Sequence, residues 1–194
     1  IVATIILTLI SGISLLLISG LNIIWTLIFF SFGILSILAA YKYTVGKNAY
    51  GYRALGDLFV FLFFGLMGVL GSSYLYVHTV SLAFLLPAIS IGALSTAVLH
   101  LNNMRDTEND IASNKRTVAN IIGIQKSKYY FVFLLITAMV SLLAYNYMRN
   151  TASLYSYAFV LIYPLFFMLI KKVMSTKEYA QYDAYLKPLA LGTF

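Results

Sequence analysis

Long uncharged runs divide the first half of the chain into segments that are long enough to cross a membrane. No Asp, Glu, Lys or Arg occurs from Ile1 to Tyr41 or from Leu58 to Met104. A helix needs roughly 20 apolar residues to cross about 30 Å of hydrocarbon. Each run therefore predicts two helices, with breaks near 19–22 and 72–81.

The second half predicts two further helices, Tyr129–Met148 and Asn150–Ile170, with Pro164 as a possible kink. Another apolar helix begins near Pro188. We therefore expect an all-α, polytopic transmembrane helical bundle with about six complete spans and the start of a seventh. Because both ends are apolar and no initiator Met is present, we expect one domain over 1–194 that is truncated at both ends.

Composition supports a membrane protein. The chain is 61% hydrophobic and 10% charged, whereas soluble domains are about 45–50% apolar and about 25% charged. Cysteine is absent, which excludes disulfides, thiolate metal sites and a cysteine nucleophile. The net charge of +7 does not indicate nucleic-acid binding, because most of the surface would face the lipid bilayer.

The basic residues follow a topology rule. All but Arg149 of the 13 bases lie in three loops, near 42–57, 102–128 and 171–187. Alternating spans place these loops on one face, which the positive-inside rule makes cytoplasmic. We expect a multi-pass protein of the inner (cytoplasmic) membrane with its site on that side. Topology does not require acids, yet all six lie in the same loops: Asp57, Asp106, Glu108, Asp110, Glu178 and Asp183.

The stretch "NNMRDTENDIASNKRT" predicts a metal and diphosphate site. Asn102, Asp106 and Asp110 follow one another at a spacing of four residues, which stacks them on one face of a helix. Their oxygens are ligands suited to Mg²⁺, which also accepts phosphate oxygens. Lys115 and Arg116 follow, and both side chains bind phosphate.

The alternative is a solvated polar loop, which is the usual role of a charge run. The helical spacing of the acids and the adjoining Lys-Arg pair favour the site. We assign Glu108, Lys126 and Lys128 to the solvated loops.

A second cluster, "YKYTVGKNAYGYRALGDLFVFLFFG" (41–65), contains Arg53 and Asp57. Asp57 opens an apolar helix, where a carboxylate favours the helix dipole, so capping alone could explain it. Arg53 could be a topology charge. On sequence alone, a functional role and a structural role remain open for both residues.

The remaining polar features are weaker. His78 and His100 fall on opposite faces of the membrane and cannot share a metal. His100 lies next to the acidic cluster, where it could contact the substrate, although a packing role is favoured. Gly92, Ser95 and Thr96 line one side of a helix. Such small residues favour close helix packing, although they could leave room for a ligand.

These motifs resemble those of the UbiA superfamily of intramembrane prenyltransferases. That family has nine helices and two Asp-rich motifs on cytoplasmic loops, and "NNMRDTENDIASNKRTVA" is similar to its second motif. Asn102 and Asn114 depart from it, where many members have Asp and Gly. The resemblance covers the chain from the family's third helix into its ninth, so the first motif is expected before Ile1. "NNMRD" and "GYRALGD" resemble the branch that acts on 1,4-dihydroxy-2-naphthoate.

The resemblance implies an Mg²⁺-dependent transfer of a polyprenyl group from its diphosphate to 1,4-dihydroxy-2-naphthoate, with decarboxylation, giving demethylmenaquinone. Expected partners are these two substrates and the lipid bilayer. Alternatives are another aromatic acceptor (4-hydroxybenzoate or haem) or a non-enzymatic transporter or scaffold. The expected catalytic residues are Asp106, Asp110, Arg53 and Asp57; the metal ligands are Asn102, Asp106 and Asp110; and the substrate contacts are Asn102, Asn103, Lys115, Arg116, Tyr52 and Lys47.

Overall fold

The protein is a bundle of helices and has no strands among the residues that the computed structural model describes, which are 2–44, 49–79, 81–150 and 153–193. The predicted all-α transmembrane bundle is confirmed. Five helical segments have the length and hydropathy needed to cross a membrane, and a shorter apolar helix of 17 residues precedes them.

The helix bounds follow the apolar runs closely in the first half of the chain. The helices are α1 (Val2–Ile18), α2 (Ile23–Thr44), α3 (Gly56–Val77) and α4 (Leu85–Arg105). A single 3-10 turn, Leu82–Phe84, leads into α4. The breaks between helices fall at the predicted positions because polar and turn residues interrupt the apolar runs there.

The second half departs more from the sequence prediction. It contains α5 (Thr107–Ala112), α6 (Val118–Met148), α7 (Tyr163–Ser175) and α8 (Asp183–Thr193), with a 3-10 segment at Leu154–Ile162 before α7.

Three local features account for the shape of this half. Helix α6 begins well before the predicted Tyr129 because Thr117 and Asn120 form a reciprocal capping box. Gly123, at φ 77°, then kinks this helix. Pro164 lies in the first turn of α7, where proline lacks only an N–H that would be unbonded anyway. It therefore marks the start of the α-helix.

Helix α4 is the centre of the fold. Its residues Ala97, Leu101 and Met104 are fully buried, and they share one apolar core with residues of α6, α7 and α8. Helix α1 has no buried residue, and the apolar stretch of α2 has none either. Apolar helices exposed in this way suit contact with lipid or with further helices. The central position of α4 places its C-terminal end, and the polar stretch that follows, between the other loops.

Candidate functional site

The first two basic loops are joined through their backbones. The N–H of Ala54 donates to the carbonyl of Arg116 at 2.8 Å, and the N–H of Arg116 donates to the carbonyl of Tyr52 at 3.2 Å. Arg53 and Arg116 therefore face each other in a parallel bridge. Two stretches that the sequence singled out separately form one surface.

Left-handed backbone conformations allow this pairing. Ala54 and Asn114 have φ angles of 57° and 55°. Asn tolerates this conformation better than most residues, and Gly tolerates it best. Asn114 can therefore adopt the left-handed conformation at the position where the similar family motif usually has Gly.

The acidic stretch does not form one continuous helix. Asp106 is the junction between α4 and α5, with φ −87° and ψ 6°. Asn102 still contacts Asp106, since its Nδ2 donates to Oδ2 at 3.2 Å. The Asp110 carboxylate instead accepts a hydrogen bond from Lys115 Nζ at 3.0 Å. The three predicted ligands therefore do not form a single row. Asn102 and Asp106 contact each other, whereas Asp110 is paired with Lys115.

Arg105 binds both members of that pair. Its Nε and Nη2 donate to the two carboxylate oxygens of Asp106 at 2.8 and 2.9 Å, and Nη2 also donates to Asn102 Oδ1 at 2.9 Å. Nη1 reaches across to Asp183 Oδ1 at 2.7 Å. The hydrogen bonds from Arg105 hold the pKa of the Asp106 carboxyl below its usual value. Sequence reasoning counted Arg105 as a topology charge and as part of the "NNMRD" motif, and it gave this side chain no role in the site.

Asp57 lies in the first turn of α3, and its side chain is the buried hydrogen-bond partner of His100. Helix α3 has no side-chain cap at Leu55. The Asp57 carboxylate lies 3.2 Å from His100 Nδ1, and His100 Nε2 lies 3.2 Å from the carbonyl of Ser127. His100 is fully buried and Asp57 is 4% exposed. The packing role expected for His100 fits this position, but its pairing with Asp57 was not foreseen.

A narrow polar cleft connects the two motifs. It lies between the turn before α3 and the turn before α6, and Asp57 lies at its inner side. Of the predicted substrate contacts, Asn103 is buried beside it and Tyr52 has an exposed side chain, as does the predicted catalytic residue Arg53. Lys47 lies outside the described residues. The cleft is lined by Tyr43, Gly51, Ala54, Gly56, Asp57, Asn103, Lys115, Arg116, Thr117 and Val118.

An apolar groove of about 730 Å³ adjoins Asn102 and runs between α3, α4 and α8. Ser95 lines this groove, so its small side chain leaves open space between the helices. Gly92 instead packs against α3, where an added Cβ would meet Phe61 at 2.9 Å. Thr96 Oγ1 donates to the carbonyl of Gly92 at 2.8 Å. The other two small residues thus serve packing.

The remaining charged residues of the second loop divide between solvent and structure. Glu108 and Lys126 are exposed, as expected. Lys128 is buried, and its Nζ donates to the carbonyls of Met174 and Thr176 at the end of α7. A lysine that satisfies free carbonyls at a helix C-terminus is a structural contact.

The oxygens around the acidic stretch suit a hard cation. Within the described ranges, no three His, Cys, Asp or Glu side chains come close enough together to bind a metal ion. However, Asp110 Oδ2 is buried and has no hydrogen-bond partner among the described residues. A buried carboxylate oxygen without a partner is costly, and a divalent cation would relieve that cost. The donor chemistry of Asn102, Asp106 and Asp110 therefore fits Mg²⁺.

Comparisons with known proteins identify the family. The profile of the UbiA prenyltransferase family matches residues 1–187. A 1,4-dihydroxy-2-naphthoate octaprenyltransferase of Haemophilus influenzae is 44% identical over 71% of this chain and 44% of its own length. The enzyme of that name from Escherichia coli is 38% identical over 89% of this chain and 56% of its own length.

A more distant relative is the human UbiA prenyltransferase domain-containing protein 1, which is 34% identical over 43% of the chain and 25% of its own length. The chain thus spans about half the length of the two bacterial relatives. No solved structure matches the chain.

Proposed function

The chain belongs to the UbiA prenyltransferase family, and on that basis we propose that it transfers a polyprenyl group from polyprenyl diphosphate to 1,4-dihydroxy-2-naphthoate. The allylic C–O bond breaks and diphosphate leaves. A ring carbon of the naphthoic acid bonds to the prenyl carbon. In the net reaction, the carboxyl group leaves as CO₂ and one proton passes to the departing diphosphate. The product is the reduced form of demethylmenaquinone. The names of the two bacterial relatives support this acceptor.

The observation that carries the proposal is the pairing of the two loops at Arg53 and Arg116. The paired loops line a polar cleft with Asn103, and the preceding residue of α4, Asn102, lines an apolar groove. A prenyl diphosphate has a strongly anionic head and a long apolar tail, so it needs both environments. The cleft offers Lys115 and Arg116 to the diphosphate. The groove adjoining Asn102 offers apolar walls to the first isoprene units.

We propose that Asn102, Asp106 and Asp110 hold Mg²⁺. When bound, the ion neutralises the charge that develops on the departing diphosphate. Lys115, which bonds Asp110, would add a second positive charge at the same place. Stabilising a charge that grows in the transition state raises the rate of bond breaking.

We assign Arg53 and Asp57 to the acceptor side of the cleft, with Tyr52, Asn103 and Lys47 as further substrate contacts. His100 holds the Asp57 carboxylate in one orientation. The predicted substrate residues come from the two loops that the backbone pairing joins. Apolar walls around them would keep water from the allylic cation.

For the membrane placement we propose the inner (cytoplasmic) membrane, with the joined loops on the cytoplasmic side, because the basic residues concentrate there. We also propose that the chain functions as part of a single prenyltransferase domain with nine helices. Its match to the family over residues 1–187 supports one domain.

The test is an acceptor comparison on the full-length protein in membranes. Labelled polyprenyl diphosphate is supplied with Mg²⁺ and either 1,4-dihydroxy-2-naphthoate or 4-hydroxybenzoate. We expect prenyl transfer to the naphthoate only, release of CO₂ from carboxyl-labelled naphthoate, and loss of both with EDTA. The Asp106→Asn variant is the matched control. Equal transfer to 4-hydroxybenzoate, or transfer without CO₂ release, would contradict the proposed acceptor.

A further inference from the structure

One guanidinium connects the candidate metal ligands to a third loop. Arg105 donates to both carboxylate oxygens of Asp106 and to Asn102 Oδ1, and its remaining Nη1 contacts Asp183 at 2.7 Å. Arg105 and Asp106 are partly exposed, at 30% and 28%, while the Asp183 side chain is 71% exposed. Two carboxylates from different loops therefore share one fixed positive charge.

The contacts of Arg105 fall on oxygens that a divalent cation would use. Asn102 Oδ1 and the two Asp106 oxygens each accept a hydrogen bond from this side chain. A positive charge bound there lowers the negative potential that attracts a metal ion. Arg105 and the metal are thus competing cations for the same pair of ligands.

Asp183 contacts Arg105 but is not one of the candidate metal ligands. It is the first residue of α8, so a helix-dipole contact is its ordinary explanation. Its contact with Arg105 joins residues 78 positions apart. A carboxylate that draws the guanidinium toward itself weakens the hold of Arg105 on Asp106.

We propose that Arg105 is a resident counter-cation of the candidate metal site, and that Asp183 is the positioning residue that shares Arg105 and keeps Asp106 available to the metal. The inference rests on the proposed metal-dependent function. It assigns a role to a residue of the third basic loop, far from either motif in sequence.

The two partners of the ion pair should then affect metal binding in opposite directions. Without Asp183, Asp106 is the one carboxylate among the described residues that Arg105 still contacts. The metal should then bind more weakly. Without Arg105, no cation among the described residues hydrogen-bonds the Asp106 carboxylate, and the metal should bind more tightly. A purely structural tie between loops predicts the same direction for both changes, because each removes the same contact.

The experiment measures Mn²⁺ binding to the purified full-length protein in detergent by electron paramagnetic resonance, without either substrate. We expect Asp183→Asn to weaken binding about two- to fivefold, the range of a partly exposed ion pair. We expect Arg105→Gln to tighten it by about fivefold, and the double variant to behave like Arg105→Gln. Glu178→Gln, which removes another exposed acid of the third loop, is the matched control and should leave binding unchanged.

A melting curve is recorded for each variant to check that it folds. Arg105→Lys keeps the charge but loses the two-pronged contact, and it serves as a second test in case Arg105→Gln does not fold. It should bind Mn²⁺ with an affinity between those of the wild type and Arg105→Gln. Shifts in the same direction for Asp183→Asn and Arg105→Gln would overturn the inference and leave the transfer reaction standing. Absence of Mn²⁺ binding to the wild type would overturn both the inference and the proposed metal site. A changed acceptor in the transfer assay would overturn the proposed acceptor alone.

Discussion

The buried pair of Asp57 and His100 should contribute strongly to stability. His100 is fully buried, contacts acceptors with both ring nitrogens at 3.2 Å, and packs edge-on against Tyr130 with ring centroids 4.7 Å apart. Removing His100 leaves the buried Asp57 carboxyl without its partner, which costs about 1–3 kcal/mol, and it also removes a fully buried ring, which adds the cost of a cavity. We therefore expect His100→Ala to destabilise the protein by about 3–5 kcal/mol.

The coupling between the two side chains distinguishes this pair from independent packing. Asp57→Ala should cost more than the roughly 1 kcal/mol of a helix cap. The double variant should cost about 2 kcal/mol less than the sum of the single variants, since the second change removes a partner that is already lost.

Stability is measured from the loss of helical circular dichroism as sodium dodecyl sulfate is titrated into detergent micelles. Ser90→Ala is the control, because Ser90 is also buried in α4 and donates one neutral hydrogen bond, to Ala138 at 2.9 Å. It should cost about 1 kcal/mol and add to Asp57→Ala without coupling. If the Asp57 and His100 changes add within about 0.5 kcal/mol, the two side chains do not act as a pair and the reasoning fails.

Three further changes test the site, the topology and the helix packing. Asp106→Asn should lower prenyl transfer about 10²-fold, by analogy with the removal of one electrostatic stabiliser, while exposed Glu108→Gln should have little effect in the same assay. Because the chain has no cysteine, a cysteine at exposed Ser113 should react with an impermeant maleimide in inverted vesicles but not in intact cells. Gly65→Ala should cost about 1–3 kcal/mol, since its Cβ would lie 2.6 Å from a carbonyl oxygen of α4. Gly33→Ala, where nothing lies within 4 Å, should cost far less.

Each of these three predictions has an outcome that would contradict it. Near-normal turnover of Asp106→Asn would remove Asp106 from the metal ligands. Labelling of the Ser113 position in intact cells would place the joined loops on the outer face. Equal melting of the two glycine variants would mean that α3 and α4 separate enough to admit a methyl group.

The sequence by itself determined the membrane class, most helix positions and the family. Hydropathy over about 20 residues is a local property, so the break at 19–22 and the start of α3 near Asp57 could be read from the chain. The spacing of Asn102, Asp106 and Asp110 is also local, and it selected these residues as candidate metal ligands. Capping at Thr117 could have been recognised from its neighbours, and it would have given the start of α6.

Only the tertiary structure decided which polar side chains are partners. His100 pairs with Asp57 across 43 positions and Arg105 with Asp183 across 78, and no local pattern specifies such contacts. They depend on α4 packing at the centre of the bundle, which brings its C-terminal end between the other loops. The break at Asp106 also appears only in the structure, because the sequence reads equally well as one continuous helix. Local chemistry therefore selects the candidate residues, while helix packing determines which polar and charged side chains contact each other.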